Sequence, residues 1–143
     1  MWGLQKEIRI YIAAKRPDDR AHLTDSMIVD GFNVTSFASA DELWNCQQSR
    51  PARIVVTERR FDYGISGLEL VARIRSHHPW PYVYVVVMSS MNTIEEIEHG
   101  LEAGVDDYLL KPFNPVQLRA RALVALRWLC YLDSLATEQP ATS

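Results

Sequence analysis

A chain of 143 residues, 48 % of them apolar and 23 % charged, has the length of one domain and the composition of a globular rather than a disordered protein. A formal charge of -3 offers no electrostatic footprint for nucleic acid or an anionic membrane, and no apolar run approaches the roughly 18 residues that a spanning helix needs. The only cysteines, Cys46 and Cys130, stand outside any CxxC or Cys/His ligand spacing. Two isolated thiols suit a reducing compartment, so a cytoplasmic domain without a bound metal is expected.

Ile8, Ile10 and Ile12 alternate in a first strand over 8–14. Pro17-Asp18-Asp19 opens a helix, proline fitting the first turn and the acids its positive end. Ala21, Leu23, Met27 and Ile28 are its candidate inward face, and Asp30-Gly31 stops it. Residues 32–37 form a second strand mixed with threonine and serine, placed near a sheet edge. Ser39 or Asp41 begins a short helix that ends by Gln48. Ile54-Val55-Val56 is the buried part of a third strand over 53–57, followed by a loop over 58–66. Residues 67–77 are helical, with Leu68, Leu70, Val71 and Ile74 near the inward side, and Pro79 and Pro81 break the chain. His77-His78 reads as a solvated helix end, and Trp80-Pro81-Tyr82 as strand-entry packing.

The nearly unbroken apolar run over 83–88 predicts a central parallel strand covered on both faces. Thr93 and Glu96 have capping-box spacing for a helix that runs to Ala103 and is closed by Gly104. Residues 105–110 form a fifth strand, with Asp106-Asp107 supporting the turn before it. Asn114-Pro115 is an N-cap and first-turn pair for a last helix over 115–132. On that helix Leu118, Ala122, Ala125, Leu129 and Leu132 follow the three-and-four spacing of a coiled-coil seam. Trp128, Tyr131 and Leu135 add apolar surface near and beyond the expected domain end, so a dimer seam or docking helix is predicted there. Residues 133–143 read as a flexible tail or the start of a linker.

Five short strands separated by helices imply βαβ units. The prediction is a three-layer α/β/α domain on a five-stranded parallel sheet in flavodoxin-like order 2-1-3-4-5. Ligands in such folds gather beyond the carboxyl ends of the strands. Ala14, Lys15, Thr57, Glu58, Ser89, Ser90 and Lys111 all fall there.

The stretch Gly100-Leu101-Glu102-Ala103-Gly104-Val105-Asp106-Asp107-Tyr108-Leu109-Leu110-Lys111-Pro112-Phe113, with Gly67-Leu68-Glu69-Leu70, resembles the receiver domain of bacterial response regulators over residues 8 to about 127. The resemblance implies transfer of a phosphoryl group to an aspartate at the end of the third strand. It also implies a magnesium ion held by two acids after the first strand, and phosphoryl contacts from a hydroxyl after the fourth strand and a lysine after the fifth. Ser89 and Lys111 match the last two, and Pro112 matches the family's proline. Ala14 and Lys15 fall where the acidic pair is expected, and Thr57 where the acceptor is expected. The loop after it is longer, so Glu58 or Arg59 can take the acceptor place instead.

Magnesium requires hard oxygen ligands. Ala14 provides none, and Lys15 would repel a cation by on the order of 4 kcal/mol per unit charge at about 4 Å and an effective dielectric of about 20. From these departures the sequence predicts a pseudo-receiver: a non-catalytic signal-transduction domain, not phosphorylated, that acts on a protein partner or a fused output domain. The contact surface that the resemblance implies is the helix 93–103, the strand 105–110 with Tyr108, and the last helix over 115–132, which a homodimer would also use. Two alternatives stand beside it. One is a genuine phosphoacceptor using Glu58, Asp62 or Thr57. The other is a small-anion sensor built on Lys15, Ser89 and Lys111.

Overall fold

The computed structural model describes residues 6–77, 81–90 and 93–138; His78 and Trp80 lie outside the described residues. Five parallel strands, β1 (Arg9–Ala13), β2 (Asn33–Phe37), β3 (Ile54–Glu58), β4 (Tyr84–Ser89) and β5 (Asp107–Leu110), alternate with five helices. These are α1 (Pro17–Val29), α2 (Ala40–Ser49), α3 (Gly67–His77), α4 (Ile94–Ala103) and α5 (Pro115–Glu138). The strand order is β2-β1-β3-β4-β5, as predicted. The chain reverses direction in the sheet between β1 and β3, which opens a crevice at their carboxyl ends.

Each strand sends alternate residues to opposite faces. Ile10, Ile12, Ile54, Val56, Val86 and Met88 meet Leu23 and Met27 of α1 and Leu118, Ala122, Leu126 and Leu129 of α5. Tyr11, Ala13, Val55, Val85 and Val87 meet Leu43 and Trp44 of α2 and Leu70, Val71 and Ile74 of α3. β4 is buried along its whole length, as its apolar run requires. Helix starts follow their caps: Ser39 accepts from the Glu42 N–H at 3.1 Å and Thr93 from the Glu96 N–H at 3.3 Å. Asn114 and Gln117 exchange side-chain to backbone bonds at 2.9 and 3.0 Å. Gly104 closes α4 in the left-handed region at φ +108°, where a Cβ would also strike the Arg75 side chain.

Four expectations are corrected. Ile28 is exposed and so is Ala21; only Leu23 and Met27, one turn apart, reach the sheet from α1. β5 starts at Asp107 rather than Val105, because the Asp106 carboxylate turns back to accept from the Val85 N–H at 2.8 Å. α5 continues through Glu138 instead of stopping at residue 132. Its extension is tied down where Arg53 grips Asp133 with both guanidinium nitrogens, at 3.0 and 3.2 Å.

The fourth correction concerns the predicted seam. Leu118, Ala122, Ala125 and Leu129 are buried against the sheet and are not available to a partner, and Leu132 is half-buried. The four-and-three spacing is the core stripe of a helix lying on a sheet. The apolar residues left outside are Val116, Val124, Trp128, Tyr131 and Leu135, with the Trp128 and Tyr131 rings stacked at 5.9 Å between centroids. Tyr108 is half-buried, its hydroxyl donating to the Glu96 carbonyl at 3.3 Å.

Candidate functional site

The crevice lies where β1, β3, β4 and β5 end, and strand alternation decides which side chains enter it. Val56 belongs to the α1/α5 face, so Thr57 turns toward α2 and α3 and Glu58 returns to the first face. Thr57 is fully buried, and its hydroxyl donates to the Glu58 carbonyl at 3.0 Å. It does not stand in the crevice, contrary to its predicted place as the acceptor position. β3 runs one residue further than predicted, and its last side chain, Glu58, fills that place.

The Glu58 carboxylate is held at both oxygens. Oε1 accepts from Lys111 Nζ at 2.5 Å, and Oε2 accepts from the Lys15 backbone N–H at 2.5 Å. The Glu58 side chain is only 8 % exposed, so the ion pair with Lys111 sits at the wall of the crevice and is less screened than a surface pair. Lys111 is itself positioned by its N–H, which donates to the Ser89 carbonyl at 2.9 Å across the β4–β5 end. The Lys111–Pro112 peptide bond is cis.

A cavity of about 190 Å³ opens above this pair, lined by Lys15, Glu58, Arg59, Arg60, Met88, Ser89, Ser90 and Lys111. A second, of about 420 Å³, adjoins it and carries Ala14, Asp19, Pro112 and Phe113 beside Glu58 and Lys111. The structure thus brings together every predicted pocket residue except Thr57. Asp62 is exposed and lines neither cavity.

Arg59 and Glu96 are legible in the sequence only in part. Glu96 reads as a capping residue by its spacing from Thr93, and its N–H does serve that cap. Its side chain serves another purpose: it forms an ion pair with Arg59 Nη2. The other guanidinium nitrogen, Nη1, is buried. Arg59 is placed by its backbone, with N–H donating to the Met88 carbonyl at 3.1 Å and carbonyl accepting from the Gly67 N–H at 2.8 Å. A Cβ on Gly67 would fall 2.0 Å from the Glu58 carbonyl oxygen, so only glycine lets the loop close this tightly.

The donor set does not suit a divalent ion. Among the described residues Glu58 is the one carboxylate lining the smaller cavity, and both of its oxygens already accept from N–H donors. Ala14 contributes no side-chain oxygen, and four cationic side chains (Lys15, Arg59, Arg60 and Lys111) share that cavity. Among the described residues no group of three or more His, Cys, Asp or Glu is placed to hold a metal. What the arrangement favours is an oxyanion: a cationic, partly enclosed pocket with hydroxyls at one side.

A family model for the response regulator receiver domain matches residues 10–123. The chain belongs to the response regulator receiver family. It is 32 % identical over 120 residues to the transcriptional regulatory protein PrrA of Mycobacterium leprae, covering 83 % of this chain and 50 % of PrrA. It is 34 % identical over 117 residues to the transcriptional regulatory protein KdpE of Staphylococcus aureus, covering 77 % and 47 %. This receiver therefore spans about half the length of those relatives. Among solved structures it is similar to NtrX from Brucella abortus, with a TM-score of 0.83, 22 % identity, and 94 % of this chain and 31 % of NtrX covered. The chemotaxis response regulator CheY4 of Vibrio cholerae superposes with a TM-score of 0.76 at 17 % identity, covering 82 % and 98 %.

These matches overturn the expectation of a domain that signals without phosphorylation, and favour the alternative of a genuine phosphoacceptor receiver. The physical reason for the error is local. The expectation gave the acceptor place first to Thr57, with Glu58 as the alternative, whereas β3 turns Thr57 into the core and delivers the Glu58 carboxylate to the crevice. Among the described residues no helix is long and apolar enough to cross a membrane.

Proposed function

We propose that this receiver accepts a phosphoryl group on the Glu58 carboxylate and communicates the change to a further domain or a protein partner. The observation that carries the reading is the position of Glu58. It is the last residue of β3, the one acid among the described residues lining the smaller cavity, within 2.5 Å of the Lys111 ammonium and beside Ser89. In the step, a Glu58 carboxylate oxygen attacks the phosphorus of an activated donor. The bond between phosphorus and the donor's leaving group breaks, the leaving group departs with the electron pair, and Glu58 becomes an acyl phosphate. Lys111, already on Oε1, follows the negative charge onto the phosphoryl oxygens. Positioning and neutralisation of charge are what phosphoryl transfer chiefly requires. Water attack on the acyl phosphate resets the domain.

The destination of the signal is argued from the exposed surface. Tyr108 bridges β5 to α4 through the Glu96 carbonyl, and Arg59, next to the acceptor, pairs with the Glu96 side chain. A change of charge at Glu58 therefore bears on α4 within one residue. The face formed by α4, β5 and the outer stripe of α5 exposes Ile94, Leu101, Leu110, Val124 and Trp128. That face would take a partner domain or a second copy.

The test is incubation with acetyl phosphate, with and without Mg²⁺, followed by intact mass. Wild type is expected to gain one phosphoryl group, removable by hydroxylamine, and Glu58→Gln to gain none. No gain in wild type, or an equal gain in Glu58→Gln, would overturn the proposal.

A further inference from the structure

We infer that Arg20 is a positioning residue for the Glu58 carboxylate, acting through the peptide bond between Ala14 and Lys15. Its guanidinium holds the carbonyl end of that peptide and thereby aims the N–H end at Glu58 Oε2. The inference rests on the reading of Glu58 as acceptor and names what orients its oxygens.

Three bonds meet around this one peptide. The Ala14 N–H donates to the Phe37 carbonyl at 3.0 Å, which carries the pairing of β1 with β2 one residue past the strand. The Ala14 carbonyl accepts from Arg20 Nη1 at 2.7 Å. The Lys15 N–H donates to Glu58 Oε2 at 2.5 Å. The Ala14–Lys15 peptide is trans, and the C=O and N–H of a trans peptide point in opposite directions within one plane. An anchor on the carbonyl therefore fixes where the N–H points. Arg20 stands on one side of that plane's axis and Glu58 on the other.

The Arg20 side chain is given over to this loop. Its Nη1 also reaches the Lys15 carbonyl at 3.4 Å, and among the described residues it forms no ion pair. The half-buried guanidinium places positive charge at the carbonyl end of the peptide, and Glu58 places negative charge at the N–H end. Both charges polarise the unit in the same sense, which strengthens the N–H as a donor. Lys15 and Arg16 form a bend rather than a strand or helix, so no ladder would hold the peptide if the Arg20 contact were lost. Rotation about the flanking bonds would then turn the N–H away from the crevice. With Oε2 held at the bend, the carboxylate cannot rotate and Oε1 stays beside Lys111. A carboxylate free to rotate would spend less of its time in line with a phosphoryl donor.

The test uses the full chain and reads the Lys15 amide in proton–nitrogen NMR correlation spectra of wild type, Glu58→Gln, Arg20→Met and Arg20→Lys. Wild type is expected to show a downfield Lys15 amide proton, protected from exchange, that moves upfield in Glu58→Gln as its acceptor loses the charge. Arg20→Met keeps much of the side-chain length without a donor. Its Lys15 resonance should move upfield, and exchange should quicken by about tenfold or more, the usual cost of losing a bond to a charged group. Arg20→Lys should recover part of both changes. Unchanged amides in β1 and β3 show that the variants fold. A Lys15 amide that responds to Glu58→Gln and stays in place in Arg20→Met overturns the inference, because a tie that merely steadied the loop would lower stability without moving that resonance. A Lys15 amide indifferent to Glu58→Gln overturns it as well.

Acetyl phosphate labelling of the same proteins separates the two claims. Arg20→Met is expected to be labelled on Glu58 about tenfold more slowly than wild type. Labelling at the wild-type rate leaves Glu58 as acceptor and removes the positioning role of Arg20. An Arg20-dependent Lys15 resonance in a protein that gains no phosphate leaves the oriented peptide and removes the acceptor.

Discussion

Two arginine–carboxylate pairs sit at opposite ends of the sheet, and they are built to different standards. At the amino end, Arg75 donates to Asp106 at 2.8 Å, to the Gly104 carbonyl at 2.7 and 3.0 Å, and to the Val83 carbonyl at 2.7 Å. Its guanidinium carbon also lies 4.7 Å from the centre of the Tyr82 ring. Asp106 in turn accepts from the Tyr82 hydroxyl and the Val85 N–H. At the carboxyl end, Arg59 and Glu96 are comparably removed from solvent and meet at Arg59 Nη2. An arginine–carboxylate pair thus ties into backbone carbonyls at the amino end and meets as two contacting charges at the carboxyl end. A satisfied network of several bonds rigidifies more than a single charge contact.

The contrast has measurable consequences. Asp106→Ala strands the Arg75 guanidinium and the Val85 N–H at once, so it should cost about 3 kcal/mol in urea unfolding. A loss below about 1 kcal/mol would mean that the amino-end network is worth no more than a surface pair. Glu96→Gln removes the charge of the carboxylate that meets Arg59. It leaves the Arg59 guanidinium without its counter-charge but strands no backbone N–H, so its cost should be smaller, about 1–2 kcal/mol, and a loss matching that of Asp106→Ala would erase the distinction between the two ends.

The smallest effect is alkaline. Burial first, then the hydrogen bond to Asp106, pushes the Tyr82 hydroxyl well above its ordinary value of 10. Above pH 10 the unfolded chain gives up that proton while the folded chain keeps it. The contribution is therefore complete below about pH 10 and is lost as pH rises toward the folded value. Tyr82→Phe should flatten the stability profile above pH 10; an unchanged slope would show that Tyr82 is not the group responsible.

Much of the fold is legible in the amino-acid sequence. The apolar run over 83–88, the Ser39, Thr93 and Asn114 caps and the glycine after α4 define the elements, because each is a local signal read within one turn or strand. Lys111, Ser89 and Glu58 fall at one crevice because strand ends of a parallel sheet converge by topology. What local signals leave open is register. Whether Thr57 or Glu58 enters the crevice depends on a single residue of strand length, and one step reverses the face of every side chain. The α5 stripe is ambiguous for a related reason: Leu118, Ala122, Ala125 and Leu129 have the same spacing whether they meet a sheet or a second helix. The pairing of Arg59 with Glu96 is invisible because it joins residues 37 positions apart through a loop whose path no local pattern encodes.

The central claim is that Glu58 is where phosphate arrives. Borohydride reduction of the acetyl phosphate-treated protein, followed by peptide sequencing by mass spectrometry, tests it most directly, because reduction converts an acyl phosphate to the corresponding alcohol and marks the residue. The account predicts that the reduced side chain is found at position 58 alone. Reduction at Asp62 or another carboxylate, or no reduced residue in a sample that has gained phosphate, would contradict it.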